Sequence, residues 1–260
     1  PPLIPAVTLP GSTAAGKKVA SVAAAHIKKQ VLELGGSDAY IVLKDADMKL
    51  AVDTCVKGRL YNSGQSCVCA KRFIVDKSVR KEFEEKMTEQ MKASTFGEPM
   101  DKGNRIGPLA RVDLRDELHQ QVMDSIKKGA KLLCGGYIPE GDGAYYPPTV
   151  LTNVKKGMPA YDEELFGPVA AIIEAKDEEH AIMLANDSIY GLGSGIFSKN
   201  VRKAEKIAAT KIQAGNCFVN AFVHSDPRLP FGGTKQSGYG RELSYYGIRE
   251  FTNIKTVFVG

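Results

Sequence analysis

Blocks of apolar and polar residues alternate along the chain, and their period changes from block to block. LIPAVTL at residues 3–9 is a short apolar run that predicts a strand. From about Ala14 to Lys29 the apolar positions Val19, Val22, Ala23 and Ile27 follow the 3.6-residue period of a helix. VLEL then reads as a strand, ended by Gly35-Gly36. Strand, helix and strand in that order form the repeating unit of a doubly wound α/β sheet. The alternation continues with the strand YIVL and a helix through Leu50, Val52, Val56 and Leu60, capped by Asp45 or Asp47. Next come the strand RFIVD, the charged helix VRKEFEEKMTEQMKAS, a helix in ARVDLRDELHQQVMDSIKKG stopped by Gly129, and the strand AKLLC. A Gly/Pro-rich stretch, 135–148, predicts a surface excursion. The strand VAAIIEA, a helix from Asp177 to about Asn186, the strand GSGIF, a helix Val201–Lys211 and the strand CFVNAF follow. Residues 227–241, PRLPFGGTKQSGYGR, break the pattern as a long irregular crossing element. FTNIKTVFVG closes the chain as a β-prone strand that needs a partner, in its own chain or in another subunit.

Composition narrows the class. The 260 residues, 43% hydrophobic and 25% charged, suffice for one large domain or two ordinary ones and are typical of a soluble globular chain. No apolar run is long enough for a bilayer span, and nothing reads as a signal peptide. The 35 Lys and Arg against 30 Asp and Glu occur singly or in pairs, so they read as solvated faces and nucleic acid is not an expected partner. Five scattered cysteines without an export signal imply a reducing, cytoplasmic compartment.

Candidate chemistry centres on YNSGQSCVCAKRF at 61–73. Cys67 and Cys69 lack the further pair that tetrahedral zinc requires, and the four histidines show no metal-ligand spacing, so no metal is expected. Cys67 follows a polar, glycine-containing turn where helix-forming sequence has stopped. A thiol there either packs as a small hydrophobe or faces a cleft with backbone N–H groups nearby. Those groups would favour the thiolate and receive an oxyanion. Cys69, next to the strand, is expected to pack inward. Glu33 interrupts the apolar strand VLEL. It is either an outward-facing edge residue or a general base of raised pKa. Gly11-Ser12 opening a helix is a weak phosphate-binding signal without a full GxGxxG fingerprint.

Taken together, GSTAAG at 11–16, LELGG at 32–36, NSGQSC at 62–67, ELFGPV at 164–169 and PFGGTKQSGYGRE at 230–242 carry a resemblance. The chain resembles the carboxy-terminal half or more of an NAD(P)-dependent aldehyde dehydrogenase. The resemblance implies that Cys67 is the nucleophile and Glu33 the general base. It assigns Gly11, Ser12, Leu34, Glu164 and Phe166 to the coenzyme, NAD or NADP, and Phe231 to the substrate channel. It implies an α/β fold of aldehyde dehydrogenase type. Residues 1–34 would be the last part of a Rossmann-like coenzyme domain and 35–226 the catalytic domain. Residues 227–246 would return to the coenzyme domain, and 247–260 would form an oligomerisation strand in a homodimer or homotetramer. An oxyanion-hole Asn, the adenosine-ribose Lys and the first oligomerisation strands would belong to a preceding segment, so the 260 residues alone are expected to be inactive.

Ser37-Asp38 after LELGG, where many relatives carry Lys, together with SDPRLPFGG and GRELSYYGIREF, resembles the succinate-semialdehyde dehydrogenase-like branch. By that likeness Ser225 would bind the remote carboxylate of the substrate, and Cys67–Cys69 would form a reversible redox pair. Glyceraldehyde or another small aldehyde is the alternative substrate. A cysteine hydrolase using Cys67 would need a positioned histidine, which the sequence does not offer, and a catalytically inactive structural fragment is the third reading.

Overall fold

The computed structural model describes residues 1–260. Its elements in chain order are β1 (Ala6–Pro10), α1 (Thr13–Ala25), β2 (Lys29–Glu33), β3 (Asp38–Val42), α2 (Met48–Leu60), β4 (Ala70–Asp76), α3 (Arg80–Ala93), α4 (Val112–Lys127), β5 (Lys131–Cys134), β6 (Thr149–Thr152), α5 (Pro159–Asp162), β7 (Val169–Ala175), α6 (Glu178–Asn186), β8 (Tyr190–Gly191), β9 (Gly193–Phe197), α7 (Val201–Thr210), β10 (Asn216–Val219), β11 (Thr234–Lys235), β12 (Gly238–Tyr239) and α8 (Ser244–Glu250). A seven-stranded sheet in the order β10-β9-β3-β4-β7-β6-β5 forms the body, parallel except for β5. Beside it lies a smaller sheet, β1-β2-β12, in which β1 and β2 are parallel and β12 is antiparallel to β2. β8 and β11 pair separately.

The central strands are covered on both faces, which explains why YIVL and RFIV show no polar alternation. Along β3, β4 and β7 successive side chains enter opposite layers. Ile41, Ile74, Ala171 and Ile173 face the layer that also holds Leu118 and Val122 of α4, Ile182 of α6 and Ile207 of α7. Tyr40, Val42, Phe73, Val75 and Ile172 face α2 and α3, with Val52, Val56, Phe83 and Met87.

Several expectations need correction. α1 stops at Ala25 because Ile27 takes a left-handed φ of 52°, and β2 starts at Lys29. Its expected apolar face is largely uncovered. Only Gly16 and Ala23 are buried, whereas Val22 and Ile27 are exposed. The excursion 135–148 is not all surface, since Ala144, Tyr146, Pro147 and Pro148 are buried on the way into β6, a strand the pattern did not predict. The basic residues are not all solvated: Arg59, Lys71 and Arg72 are 0–2% exposed. Arg72 spends its charge on carbonyls, donating to Ser37, Leu184 and Ala185 and so tying β3 to the C-terminal end of α6. Of the expected strand 247–260, residues 247–250 instead end α8, and residues 251–260 are exposed and pair with no strand of this chain.

Candidate active site

The register of the large sheet brings the distant motifs together. β3, β4 and β7 are adjacent and parallel, so the segments entering them lie along one edge. LELGG precedes β3, NSGQSC precedes β4 and ELFGPV precedes β7. Cys67 and Phe166 lie at matching offsets upstream of the paired residues Arg72 and Ala171. Across the gap stand the C-terminal ends of β1 and β2, where Pro10 pairs with Glu33, and the N-terminus of α1. Ligands of parallel α/β sheets characteristically occupy such carboxyl-end crevices. The space between is a cleft of about 850 Å³ lined by Gly11, Ser12, Glu33, Leu34, Cys67, Glu164, Phe166 and Phe231, among others.

The turn carrying Cys67 is fastened residue by residue. α2 ends at Leu60, and Asn62, Ser63 and Gly64 all adopt positive φ. Gly64 is required there. At φ 78° it packs on Gly167, whose carbonyl carbon would lie 2.3 Å from an added Cβ. The Asn62 amide donates to Gln65 O, and Ser63 Oγ bonds both backbone groups of Gly107. The Gln65 side chain reaches Pro108 O and Ala110 N. From below, Arg59 donates to Gly64 O at 2.8 Å and Val169 O at 3.3 Å. The polar letters of NSGQS thus hold the turn, which leaves the half-buried Cys67 facing the cleft.

Cys67 is not a resting thiolate. Burial pushes its thiol up to about 11, an effect that Lys71 opposes and Asp38, Glu164 and Glu33 reinforce. The expectation that backbone N–H groups would favour the thiolate is overridden by desolvation. The backbone N–H of Cys67 has no acceptor within the chain.

Glu33 is the other unusual group. It is buried at the end of β2, and neither carboxylate oxygen has a hydrogen-bond partner. Burial, aided by the negative charge of Glu242, pushes it up to about 8 despite Arg241. Arg241 is engaged elsewhere, donating to the carbonyls of Gly233 and Gly240. Glu242 reaches the cleft because the backbones of Phe231 and Glu242 pair through two hydrogen bonds. β12 then docks on β2 with Gly238 opposite Glu33. At the cleft's far side Glu164 Oε1 accepts from Gly36 N at 3.0 Å and pairs with Lys71 Nζ at 3.2 Å. Ser12 caps α1, its Oγ accepting from Ala15 N, and no acidic side chain occupies that helix's first turn.

Two expected site residues are not brought to the cleft. Ser225 is exposed on a segment held at the surface by its own turn, in which Arg228 bonds Asp226 through both backbone and guanidinium. Cys69 is buried, with its thiol donating to Tyr61 O at 3.2 Å, and both Cys67 and Cys69 are free thiols. Residues that sequence reasoning passed over are Lys71, Glu242, Tyr190 and Gln121, the last of which holds Glu163 through its amide. The Lys-Arg pair inside the otherwise apolar AKRFIV was the available signal for Lys71.

A family model described as the aldehyde dehydrogenase family matches residues 1–257. A succinate semialdehyde dehydrogenase [NAD(P)+] of Escherichia coli is 51% identical over 98% of the chain, which covers 55% of that protein. A succinate-semialdehyde dehydrogenase [NADP(+)] of Mycobacterium ulcerans is 49% identical over the whole chain, which covers 56% of it. The chain therefore spans a little over half the length of these curated relatives. Among solved structures, betaine aldehyde dehydrogenase of Staphylococcus aureus in complex with NAD+ superposes with a TM-score of 0.91 at 35% identity, over 95% of this chain and 50% of that one. A lactaldehyde dehydrogenase superposes with a TM-score of 0.95 at 36% identity, over 98% of this chain and 54% of that one. No helix is long and apolar enough to cross a membrane. The chain belongs to the aldehyde dehydrogenase family.

Proposed function

We propose that this chain carries the nucleophile and general base of an NAD(P)-dependent oxidation of a small aldehyde, succinate semialdehyde before glyceraldehyde, to its carboxylic acid. The observation that carries the proposal is the pairing, in one cleft, of a half-buried thiol with a buried carboxyl that has no hydrogen-bond partner. The residues present fit a dinucleotide. The capped N-terminus of α1, bare of acidic side chains, offers backbone N–H groups and a positive helix end beside Gly11. Glu164 and Phe166 face the cleft from the opposite wall and would hold the nicotinamide riboside. A bound nicotinamide supplies the hydride acceptor for the oxidation step.

Cys67 would give its proton to water and its sulfur would add to the aldehyde carbon as the carbonyl π pair moves onto oxygen, giving a thiohemiacetal whose oxygen the free Cys67 N–H would bond. After oxidation the same carbon is held as a thioester. Glu33, ionised above about pH 8, removes a proton from water; the resulting hydroxide attacks, the C–S bond breaks and the acid leaves. Acid release should therefore rise with pH through about 8. The names of the curated relatives favour the semialdehyde. Ser225 could assist only if the 224–230 segment turned inward.

In the same reading residues 1–34 belong to the coenzyme domain and 35–226 to the catalytic domain, with 227–246 returning to the former. Exposed Ile254, Val257, Phe258 and Val259 in the terminal segment would pair with another subunit. The chain covers 55% of its relative's length, and turnover by these 260 residues alone is expected to be negligible. Closing a reversible Cys67–Cys69 disulfide would require Cys69 to leave Tyr61 O; thiol-reversible peroxide inactivation that Cys69→Ala abolishes would support it.

The test is an assay of an enzyme of the relatives' full length that carries these 260 residues, with succinate semialdehyde and glyceraldehyde and with both nucleotides. Cys67→Ala should abolish reduced-nucleotide formation, whereas Glu33→Gln should give one equivalent per site and then stall. Full activity in Cys67→Ala would overturn the proposal.

A further inference from the structure

Lys71 is the first charged residue of β4 and is almost completely buried, its side chain 1% exposed. Nothing in the packing of that strand demands an ammonium. Its neighbours on the same face, Phe73 and Val75, join an apolar layer, and an isolated buried charge is strongly unfavourable unless its donors are met. Here they are met, and by one turn. Lys71 Nζ lies 2.9 Å from Cys67 O, 3.2 Å from Ser66 O, 3.4 Å from Cys69 O and 3.2 Å from Glu164 Oε1. The backbone before β4 curls around the ammonium, and the carboxylate it holds is the one that also accepts Gly36 N. Lys71 and Glu164 together thus join the three segments that enter β3, β4 and β7.

Cys67 is faced by Lys71 from β4, Asp38 from β3, Glu164 from the segment before β7, and Glu33 from β2. Three of these four groups are carboxyls, so Lys71 is the cation among them. Asp38 is itself fully buried, one oxygen accepting Gly193 N at 3.0 Å and the other without a partner. Burial holds Asp38 up at about 7, against the pull of Lys71.

We propose that Lys71 is a positioning residue for the nucleophile: its ammonium fixes the 66–69 turn through three carbonyls and supplies the positive charge against which the Cys67 thiolate forms, and Glu164 moderates that charge by pairing with it. The proposal rests on Cys67 being the nucleophile. It makes the two partners of the ion pair act on Cys67 in opposite directions. Loss of the cation makes the thiolate harder to form, whereas loss of the Glu164 charge makes it easier. A Lys71 that merely filled space or anchored the strand would give no such pair of opposite effects.

The experiment follows alkylation of Cys67 by iodoacetamide as a function of pH, with the Cys67-containing peptide quantified by mass spectrometry. It compares the unsubstituted chain, Lys71→Met and Glu164→Gln, each checked for folding by circular dichroism, and needs neither nucleotide nor turnover. In Lys71→Met the midpoint should rise by about one pH unit, which slows labelling about tenfold at any pH below it. In Glu164→Gln the midpoint should fall. An unmoved midpoint in folded Lys71→Met, or shifts of the same sign in both variants, would overturn the proposal while leaving the nucleophile reading intact. If Lys71→Met does not fold, Glu164→Gln decides alone, and a midpoint that is unmoved or raised overturns it. Cys67 labelling no faster than that of buried Cys55 would overturn the nucleophile reading and this proposal together.

Discussion

Replacing Glu33 by Gln should alter the pH dependence of folding in a direction fixed by the burial of its carboxyl. The group is 6% exposed, neither oxygen is bonded, and its pKa rises from 4.5 to about 8 in the folded chain. Below about pH 4.5 both folded and unfolded chains hold the proton and Glu33 contributes no pH dependence. Between 4.5 and about 8 the unfolded chain releases its proton while the folded chain retains it, so stability falls as pH rises. At about 1.4 kcal/mol for each pKa unit, the complete loss would reach about 4–5 kcal/mol. The cleft is open to water on one side, which roughly halves this and leaves about 2 kcal/mol. For a chain of this size that corresponds to about 4–8 °C in Tm. Glutamine keeps the shape and removes the titration. Thermal unfolding followed by circular dichroism should therefore show native and Glu33→Gln chains melting together near about pH 5, with the variant ahead by about 4–8 °C near about pH 9. A difference that stays constant, or that shrinks as pH rises, would refute the idea that Glu33 is held as a buried neutral acid.

Two further substitutions, made in an enzyme of the relatives' full length that carries these residues, test other walls of the cleft. A Cβ at Gly36 would stand 2.8 Å from Cys67 O and 3.2 Å from both Asp38 Oδ1 and Leu192 Cβ, so Gly36→Ala should displace the turn that carries Cys67. Its aldehyde oxidation should fall about a hundredfold with the fold retained; unchanged kcat would show that the turn does not need its present position. Ser12→Ala removes the cap of α1 and should lower stability by about 1 kcal/mol. If that helix end holds the coenzyme, the nucleotide KM should rise while kcat changes little, and an unaltered KM would move the phosphate site elsewhere.

Much of this arrangement was legible because apolar period and turn residues are local properties. VAAIIEA and GSGIF fall on β7 and β9 residue for residue, and Asp177 caps α6 as a helix start should. Cys67 and Glu33 could be singled out because each breaks its local rule: a thiol after a polar turn, and a carboxylate within an apolar strand. The features that escaped depend on partners far away in sequence. β6, β8, β11 and β12 are short and exist through pairing, not through pattern. Val22 and Ile27 follow a helical period, yet this chain does not cover them. Lys71 and Arg72 looked like surface charge because composition says nothing about the carbonyls that await them. Ser225 matched an offset in sequence, but a local Asp226–Arg228 turn decides where its segment lies.

The same distinction between satisfied and unsatisfied groups organises the cleft. Lys71 has acceptors for all its protons, and the side chains of Asn62, Ser63 and Gln65 are bonded in the turn that precedes Cys67. These bonds fix the geometry of the turn, and the Lys71 ammonium adds its charge to it. Glu33 is the opposite, a carboxyl whose oxygens meet no donor and whose proton is held by the difficulty of burying charge, with the negative charge of Glu242 adding to it. Giving Glu33 a partner would lower its pKa, stabilise the chain at high pH and weaken it as a base. If Glu33 is the general base proposed, the stability lost there between pH 4.5 and 8 is the counterpart of its usefulness for activating water. In the mechanism proposed, the bonds around Cys67 would keep the thioester carbon within reach of that water.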